Sequence, residues 1–285
     1  SMDAWIPLIK SVLFIIGKIY IGFCAGYWIF HRFFIIFPSR KIGKLPSDYD
    51  IEYEEVFFQT TDKIWLQGWL LLNKESSITI KGKQAVIVFF PGNAGTLSKF
   101  LPGLKELVKH GFTVFTFSYR GFGKSDFRWP TEKGVYRDAE AVVRYLENEQ
   151  GFKPEQLIFY GQSLGCAMAS RASMHFKPAA LILEAGFPSL PYIVKRYSKG
   201  IPLSLLTTSR FDTGYHLSRT HCPVLIAHST EDTAISAADS EKLFNTANEP
   251  KRKTGIKGLH AKGLESTPFP YLNTITRFIN EELNN

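Results

Sequence analysis

Residues 158–170 have the sequence IFYGQSLGCAMAS, in which an apolar run ends at one glycine and a helix-forming run begins at a second. Gly161, Ser163 and Gly165 form a G-x-S-x-G pattern between a predicted strand and a predicted helix, where a nucleophile elbow must lie. Glycine at both outer positions lets the backbone of a sharp turn approach its neighbours without a Cβ clash. We therefore predict that Ser163 is a nucleophile rather than a small residue in a structural turn.

A nucleophilic serine needs a base and a carboxylate that orients the base. Asp232 follows the predicted strand CPVLIAHS (residues 222–229) in a loop that leads to a helix, and we predict it as the acid. The rival is Glu184, which ends the preceding strand. Asp212 lies before the 222–229 strand, and Glu231 is expected to point away from the site.

The base is predicted to be His260, because it is the only histidine after Asp232 in the chain. It lies in KGLHAKG, where glycines on either side are typical of an exposed loop. Taken alone, His260 is an ordinary surface histidine. Taken in order with Ser163 and Asp232, it completes a Ser-His-Asp set for nucleophilic catalysis.

Acyl transfer also requires hydrogen-bond donors for the oxyanion. Residues 86–100, VIVFFPGNAGTLSKF, end a strand in a glycine-containing turn and start a helix. We assign the oxyanion hole to the backbone N–H groups of Asn93 and Leu164. The alternative is that Gly92 and Gly95 only permit the turn.

Beyond residue 46, short apolar runs alternate with longer amphipathic ones, a pattern typical of a sheet flanked by helices. The predicted strands span residues 51–59, 64–73, 84–90, 112–119, 157–161, 180–185 and 222–229. The predicted helices lie near residues 97–109, 131–149, 164–175, 236–247 and 269–283. A further strand expected before His260 is poorly marked, since KRKTGIKG (residues 251–258) has one strongly apolar residue.

Residues 11–30, SVLFIIGKIYIGFCAGYWIF, carry a single charge and are long enough to cross a hydrocarbon core. The bulky Tyr27, Trp28 and Phe30 do not suit a signal-peptide cleavage site, which favours a permanent membrane anchor. A helix in the membrane interface and a buried helix of a soluble protein are the alternatives. We divide the chain into an anchor and juxtamembrane segment, residues 1–45, and a catalytic domain, residues 46–285.

The flank after the apolar segment carries more cations than the flank before it. Lys10 precedes the segment, and the cations that follow it are Arg32, Arg40, Lys41 and Lys44. For a spanning helix this asymmetry predicts a membrane-anchored protein with its catalytic domain in the cytoplasm.

The net charge of +8 is spread along all 285 residues with no run of five cations, which argues against a nucleic-acid partner. Cys24, Cys166 and Cys222 are far apart and show no metal-ligand spacing, so they fit reduced structural thiols. A denser basic group surrounds His260. Its cations form either a rim for lipid head groups or a solvated charge run, and they are Lys251, Arg252, Lys253, Lys257 and Lys262.

From about residue 50 onwards the chain resembles the α/β-hydrolase superfamily, and within it the membrane-anchored abhydrolase-domain serine hydrolases. The motifs that carry the resemblance are PGNAG (91–95), YRGFGKS (119–125), YGQSLG (160–165), HSTED (228–232) and GLH (258–260), in the family's order. The resemblance implies a mostly parallel sheet of about eight strands flanked by helices, with Ser163, Asp232 and His260 as a triad and no metal or cofactor. Arg120 and Ser125 match a structural loop of the family.

Three positions depart from the family pattern. Pro91 stands where many relatives have histidine, and Ser229 replaces a usual glycine before the acid. Residues 187–221 leave little room for a lid domain, which makes substrate entry from a membrane surface reasonable.

The sequence therefore predicts a membrane-associated serine hydrolase that cleaves acyl esters of lipids or small molecules. A protein depalmitoylase or thioesterase and a small peptidase are alternatives on the same fold, because acyl specificity depends on pocket shape. An inactive, membrane-tethered binding module is the alternative from another class. The expected partners are an acyl substrate and a membrane surface.

Overall fold

In the computed structural model, residues 5–75, 77–93 and 96–285 are described. The strands are β1 (Glu52–Gln59), β2 (Trp65–Leu72), β3 (Thr79–Ile80), β4 (Lys83–Gln84), β5 (Val86–Phe90), β6 (Thr113–Phe117), β7 (Leu157–Gln162), β8 (Ala180–Glu184), β9 (Val224–Ser229) and β10 (Lys251–Ile256). The α-helices are α1 (Trp5–Phe30), α2 (Leu101–Lys109), α3 (Glu132–Asn148), α4 (Gly165–Phe176), α5 (Leu190–Tyr197), α6 (Leu203–Leu206), α7 (Thr213–Leu217), α8 (Ala237–Thr246), α9 (Gly263–Ser266) and α10 (Pro268–Leu283).

Within the described residues, eight strands form one sheet in the order β1-β2-β6-β5-β7-β8-β9-β10. β1 pairs antiparallel with β2, β2 pairs antiparallel with β6, and the other pairs are parallel. Every residue of β5 to β9 is buried, because helices cover both faces of the parallel part. The predicted mostly parallel sheet is confirmed.

The strand before His260 is present as β10, although its sequence marks it poorly. β10 pairs in parallel with β9 at the edge of the sheet, and most of its side chains are exposed or half-buried. Arg252 bonds Glu281 and Glu282, and Lys253 bonds Glu241. An edge strand needs backbone pairing on one side only, and its charges discourage pairing with another chain.

The short elements were not predicted. They are the β3–β4 hairpin, three helices between β8 and β9 (α5, α6 and α7), and α9 after His260. β3, β4, α6, α7 and α9 have two to five residues each, too few for a repeating hydrophobic pattern. Helix α5 has eight residues and was missed although it spans about two turns.

Contacts divide the chain into two compact units. One comprises residues 37–189 and 211–285 and contains the sheet. The other comprises Leu190–Arg210 and the described part of residues 1–36. The boundary at residues 45 and 46 stays a prediction, and the grouping of Leu190–Arg210 with the amino-terminal helix was not expected.

The described residues include one helical stretch long and apolar enough to cross a membrane, Trp5–Phe33, and an 18-residue window within it has a mean hydropathy of 1.9. No residue of α1 is buried. Length and composition therefore agree with a membrane anchor, as they do with a signal sequence.

Arg120 joins three parts of the unit that contains the sheet. Its guanidinium is 2% exposed and donates to Asp62, in the turn between β1 and β2, at 2.8 and 3.0 Å, and to Asp138 of α3 at 2.7 and 2.9 Å. Hydrogen bonds from Arg120 hold the pKa of Asp62 well below its usual value. Ser125, fully buried, donates to the carbonyl of Ser118 at 2.7 Å. Both residues of the YRGFGKS motif thus have structural contacts, as predicted.

Replacing Arg120 tests how much this buried ion pair matters. Arg120→Met leaves the buried Asp138 carboxylate without its counter-ion, which costs about 3–5 kcal/mol in the free energy of unfolding. Urea denaturation followed by tryptophan fluorescence measures this loss. Lys133→Met, an exposed cation of α3, is the matched control and should change stability by less than about 0.5 kcal/mol. Equal stability of the two variants would contradict the structural role of Arg120.

Candidate active site

Ser163 occupies the corner between β7 and α4. Its φ is +54°, in the left-handed region that side-chain-bearing residues rarely adopt. The Ser163 N–H donates to the carbonyl of Glu184 on the neighbouring strand at 2.9 Å. Such local strain persists only when surrounding structure holds it, and it is common where a side chain must be presented for chemistry.

The two glycines of the pattern are required by close backbone approach. A Cβ at Gly161 would lie 2.7 Å from Cys166 Cα, and a Cβ at Gly165 would lie 2.1 Å from the carbonyl oxygen of Phe90 on β5. Real Cβ atoms essentially never come so close. The G-x-S-x-G spacing therefore follows from packing the helix start against β5.

The predicted serine, histidine and aspartate are brought together. The Ser163 hydroxyl lies 2.8 Å from His260 Nε2, and His260 Nδ1 lies 2.7 Å from Asp232 Oδ2. Since the carboxylate accepts, Nδ1 carries a proton and Nε2 is left to accept from the serine hydroxyl. The second Asp232 oxygen accepts from the N–H groups of Ala234 and Ile235 at 2.8 and 2.9 Å.

Asp232 is held in its ionised form. Burial alone would raise its pKa, but hydrogen bonds from His260 and from the Ile235 and Ala234 N–H groups outweigh burial, so the pKa of Asp232 lies below its usual value. A carboxylate in this state orients the imidazole and stabilises the imidazolium form when the ring takes up a proton.

The loop that carries His260 is fixed to the acid loop by side chains. Ser229 donates to the Gly258 carbonyl at 2.6 Å, and Glu231 accepts from the Gly258 N–H at 2.8 Å. Glu231 thus points away from the imidazole, as predicted. The serine that replaces the usual family glycine supplies one of these bonds, because its hydroxyl reaches the loop.

Glu184, the rival acid, has a different position. Its fully buried carboxylate accepts from the Tyr160 hydroxyl, from Gln162 Nε2 at 3.3 Å and from the Gly263 N–H at 2.8 Å. Burial raises the pKa of Glu184. The structure therefore places Asp232 against the His260 imidazole, and places Glu184 beneath the loop that follows His260.

Gln162 makes a second contact with the histidine loop and was missed in the sequence. Its side-chain amide donates to the Ala261 carbonyl at 3.0 Å. Tyr160 and Gln162 are two residues apart on β7, so both side chains lie on the same face, and both donate to Glu184. That alternation of polar side chains in a buried strand is the signal that could have revealed this network.

Asp212 lies elsewhere: its side chain accepts from the Tyr215 N–H at 3.0 Å and caps α7. No group of three or more His, Cys, Asp or Glu side chains suited to hold a metal ion occurs in the part of the chain that the structure describes.

A cavity of about 340 Å³ opens beside the Ser163 hydroxyl. Its wall is largely apolar and comprises Phe89, Phe100, Leu104 and Leu264, while Lys99, Lys262 and Glu265 also line it. The ammonium of Lys262 is bound to Glu265 at 2.8 Å. Space of this size with apolar walls suits the hydrocarbon part of a small ligand.

Both predicted oxyanion segments lie next to the serine. Asn93 and Gly92 line the cavity with Ser163, and a Cβ at Gly92 would come within 2.9 Å of the Gln162 carbonyl oxygen. Leu164 immediately precedes α4, so its N–H belongs to the end of the helix that lacks intrahelical acceptors. Gly95, the second glycine of the predicted turn, and Ala94 lie outside the described residues.

The basic group around His260 is largely paired with carboxylates. Arg252, Lys253 and Lys262 form ion pairs with glutamates, and the Lys251 ammonium donates to the Ala247 carbonyl at 3.0 Å. Exposed Lys257 has no ion-pair partner among the described residues. Four of these five cations thus have a hydrogen-bond or ion-pair partner among the described residues.

Comparisons with known proteins agree with the fold and with the family resemblance. A family model described as "alpha/beta hydrolase fold" matches residues 85–220. An uncharacterised protein of Mycobacterium tuberculosis is 30% identical over 250 residues, which cover 87% of this chain and 86% of that protein. Human alpha/beta hydrolase domain-containing protein 17B is 29% identical over 208 residues, covering 70% and 67% of the two chains. The chain belongs to the α/β hydrolase family.

Among solved structures, an esterase of Pyrococcus furiosus superposes with a TM-score of 0.70 at 19% identity. The match covers 87% of this chain and 98% of the esterase. At this identity the likeness shows the shared fold. Fold and family together define the chain as a hydrolase.

We call the hydrogen bonds of Glu184 with Tyr160, Gln162 and Gly263 the Glu184 network. The contribution of this network to stability can be tested. Glu184→Ala leaves the buried Gly263 N–H without its acceptor and removes one partner of Tyr160, and each unsatisfied group costs about 1–3 kcal/mol. We expect the free energy of unfolding to fall by about 3 kcal/mol in urea denaturation. Exposed Glu54→Ala is the control and should change it by less than about 0.5 kcal/mol. A loss as small as the control's would show that the network does not hold the loop.

Proposed function

We propose that this protein is a membrane-associated serine hydrolase that cleaves acyl esters through an acyl-enzyme. Ser163 is the nucleophile, His260 the general base and acid, and Asp232 the residue that orients the imidazole. The observation that carries the proposal is the continuous hydrogen-bonded chain from the Ser163 hydroxyl through His260 to Asp232, with links of 2.8 and 2.7 Å. It lies at a strained corner beside a cavity.

In the proposed reaction, the Ser163 oxygen attacks the ester carbonyl carbon while His260 Nε2 takes the hydroxyl proton. The negative charge on the carbonyl oxygen is stabilised by the backbone N–H groups of Asn93 and Leu164. The imidazolium then protonates the leaving alcohol, and the C–O bond of the ester breaks. Water, deprotonated by His260, then attacks the acyl carbon. The bond between that carbon and the Ser163 oxygen breaks, the imidazolium returns its proton to the Ser163 oxygen, and the carboxylic acid is released.

The cavity supports an acyl group as the part of the substrate that lies next to Ser163. Phe89, Phe100, Leu104 and Leu264 are buried apolar side chains that favour a hydrocarbon chain over a polar one. Membrane association through α1 is proposed on its length, its hydropathy and its exposed apolar surface, and the flanking cations favour a cytoplasmic catalytic domain.

Covalent labelling with a fluorophosphonate probe tests the nucleophile. The full chain in detergent micelles should be labelled, and Ser163→Ala should abolish labelling, because the probe reacts only with an activated serine. Asp232→Asn should slow labelling by roughly 10³- to 10⁴-fold, since the imidazole loses its orienting carboxylate. Gel fluorescence over time measures both rates.

Ser47→Ala, which changes an exposed serine, is the matched control and should label like the wild type. Circular dichroism verifies that each variant is folded. Labelling that persists in Ser163→Ala, or a folded wild type that takes up no probe, would refute the proposed chemistry. With labelling established, matched ester, thioester and anilide substrates decide the bond type, and the proposal expects the ester to have the highest kcat/KM.

A further inference from the structure

The segment Leu190–Arg210, which contains α5 and α6, forms one compact unit with the amino-terminal helix. We call it the α5–α6 segment. Helix α1 packs against α6 within this unit. The α5–α6 segment is therefore packed against the helix that is proposed to enter the membrane.

Hydrogen bonds fix the end of α1 to this segment. The Tyr27 hydroxyl lies 2.8 Å from Thr207 Oγ1, and the Thr208 N–H donates to His31 Nε2 at 3.1 Å. His31 Nδ1 lies 3.1 Å from the Trp28 carbonyl oxygen, so it carries the proton and Nε2 is free to accept. His31 is 3% exposed. These contacts are partly buried and specific, so the segment stays at the carboxyl end of α1.

The depth of that end follows from helix length. The 26 residues of α1 span about 39 Å at 1.5 Å per residue, which exceeds a hydrocarbon core of about 30 Å. The ends of a spanning α1 therefore emerge into the head-group layer. Tyr27 and Trp28 at the carboxyl end have the amphipathic rings that concentrate there, and His31 follows directly after α1. The α5–α6 segment, bonded to the same residues, lies at the same depth.

The surface chemistry of the segment fits that depth. Leu205 is 85% exposed and Tyr197 is 66% exposed, which is unfavourable for apolar side chains in water. The sequence LPYIVKRYSKGIPLSLLTTSR contains four cations and no Asp or Glu. Lys195 and Lys199 are exposed and have no ion-pair partner among the described residues. Exposed apolar groups beside unpaired cations are typical of an interfacial membrane contact.

A groove of about 730 Å³ brings these groups together. Lys195, Lys199, Ile201 and Leu205 are among the residues that line it. Two ammonium groups at an apolar groove complement an anionic phospholipid, whose phosphate meets the cations and whose chains meet the apolar side chains. By contrast, most cations near His260 are paired with carboxylates.

We propose that the α5–α6 segment is a second membrane contact that binds anionic phospholipid, with Leu205 below the head groups and Lys195 and Lys199 at their phosphates. The proposal rests on the proposed anchoring of the hydrolase by α1. It adds a lipid preference that α1 alone does not supply, because α1 contacts lipid mainly through apolar side chains.

Electron paramagnetic resonance of nitroxide-labelled full-length protein tests this contact. Leu205→Cys is labelled in a Cys24→Ala/Cys222→Ala background, in which Cys166 is fully buried. A second sample carries the label at Ile16→Cys, on the exposed surface of α1. Both are reconstituted in phosphatidylcholine vesicles with and without phosphatidylserine. Collision rates with oxygen, which partitions into lipid, and with a water-soluble nickel chelate report immersion depth.

We expect the Ile16 label to be immersed in both vesicles, and the Leu205 label to be immersed when phosphatidylserine is present. Lys195→Gln/Lys199→Gln should abolish the effect of phosphatidylserine on the Leu205 label. Lys109→Gln/Lys153→Gln removes the same charge from exposed lysines elsewhere and should leave it intact.

Each other outcome overturns a defined part of the account. A water-exposed Leu205 label with an immersed Ile16 label overturns the second contact and leaves the anchor standing. Immersion of Leu205 that is independent of phosphatidylserine and of the two lysines overturns anionic lipid binding. A water-exposed Ile16 label overturns the anchor, and with it this inference, while the serine chemistry is judged separately by fluorophosphonate labelling.

Discussion

The close approach of helix α4 to strand β5 constrains the backbone conformation around the candidate active site. At Gly165 a Cβ would lie 2.1 Å from the Phe90 carbonyl oxygen, so the helix can start there only without a side chain. The chain must reverse within a few residues of β7, and this leaves Ser163 in a left-handed conformation with its hydroxyl directed at His260. The strain is offset by buried packing of β5, β7 and β8.

A second set of contacts holds the histidine at that corner. His260 lies in an irregular loop, and side chains from two neighbouring strands bind the backbone of that loop: Gln162 at Ala261 and Ser229 at Gly258. From the strand between them, Glu184 binds Gly263, where α9 begins directly after the loop. These are buried or half-buried hydrogen bonds, where an unsatisfied partner is costly. The loop is therefore held within hydrogen-bonding distance of Ser163 without a helix or strand of its own. This suits the proposed role of His260 as a base that must reach the serine and a leaving group in turn.

The parts of the fold that could be predicted are those marked by a pattern within a short stretch of the sequence. Strands β5 to β9 are buried on both faces, and their continuous apolar runs mark them in the sequence. Ser163 and its glycines are marked by spacing, and Asp232 and His260 by chain order. Strand β10 carries charges because it is an edge, so no apolar run marks it. The Glu184 network joins residues 79 positions apart, and its one local trace is the pair of polar side chains Tyr160 and Gln162 on buried β7. The grouping of Leu190–Arg210 with α1 likewise depends on tertiary contacts alone.

The most direct measurement of the central claim is rapid-quench mass spectrometry of the protein during turnover of a p-nitrophenyl acyl ester. The account predicts that intact mass rises by one acyl group within the first turnover, and that peptide mapping places the group on Ser163. Turnover without a covalent adduct, or an adduct on another residue, would contradict the assignment of Ser163 as the nucleophile.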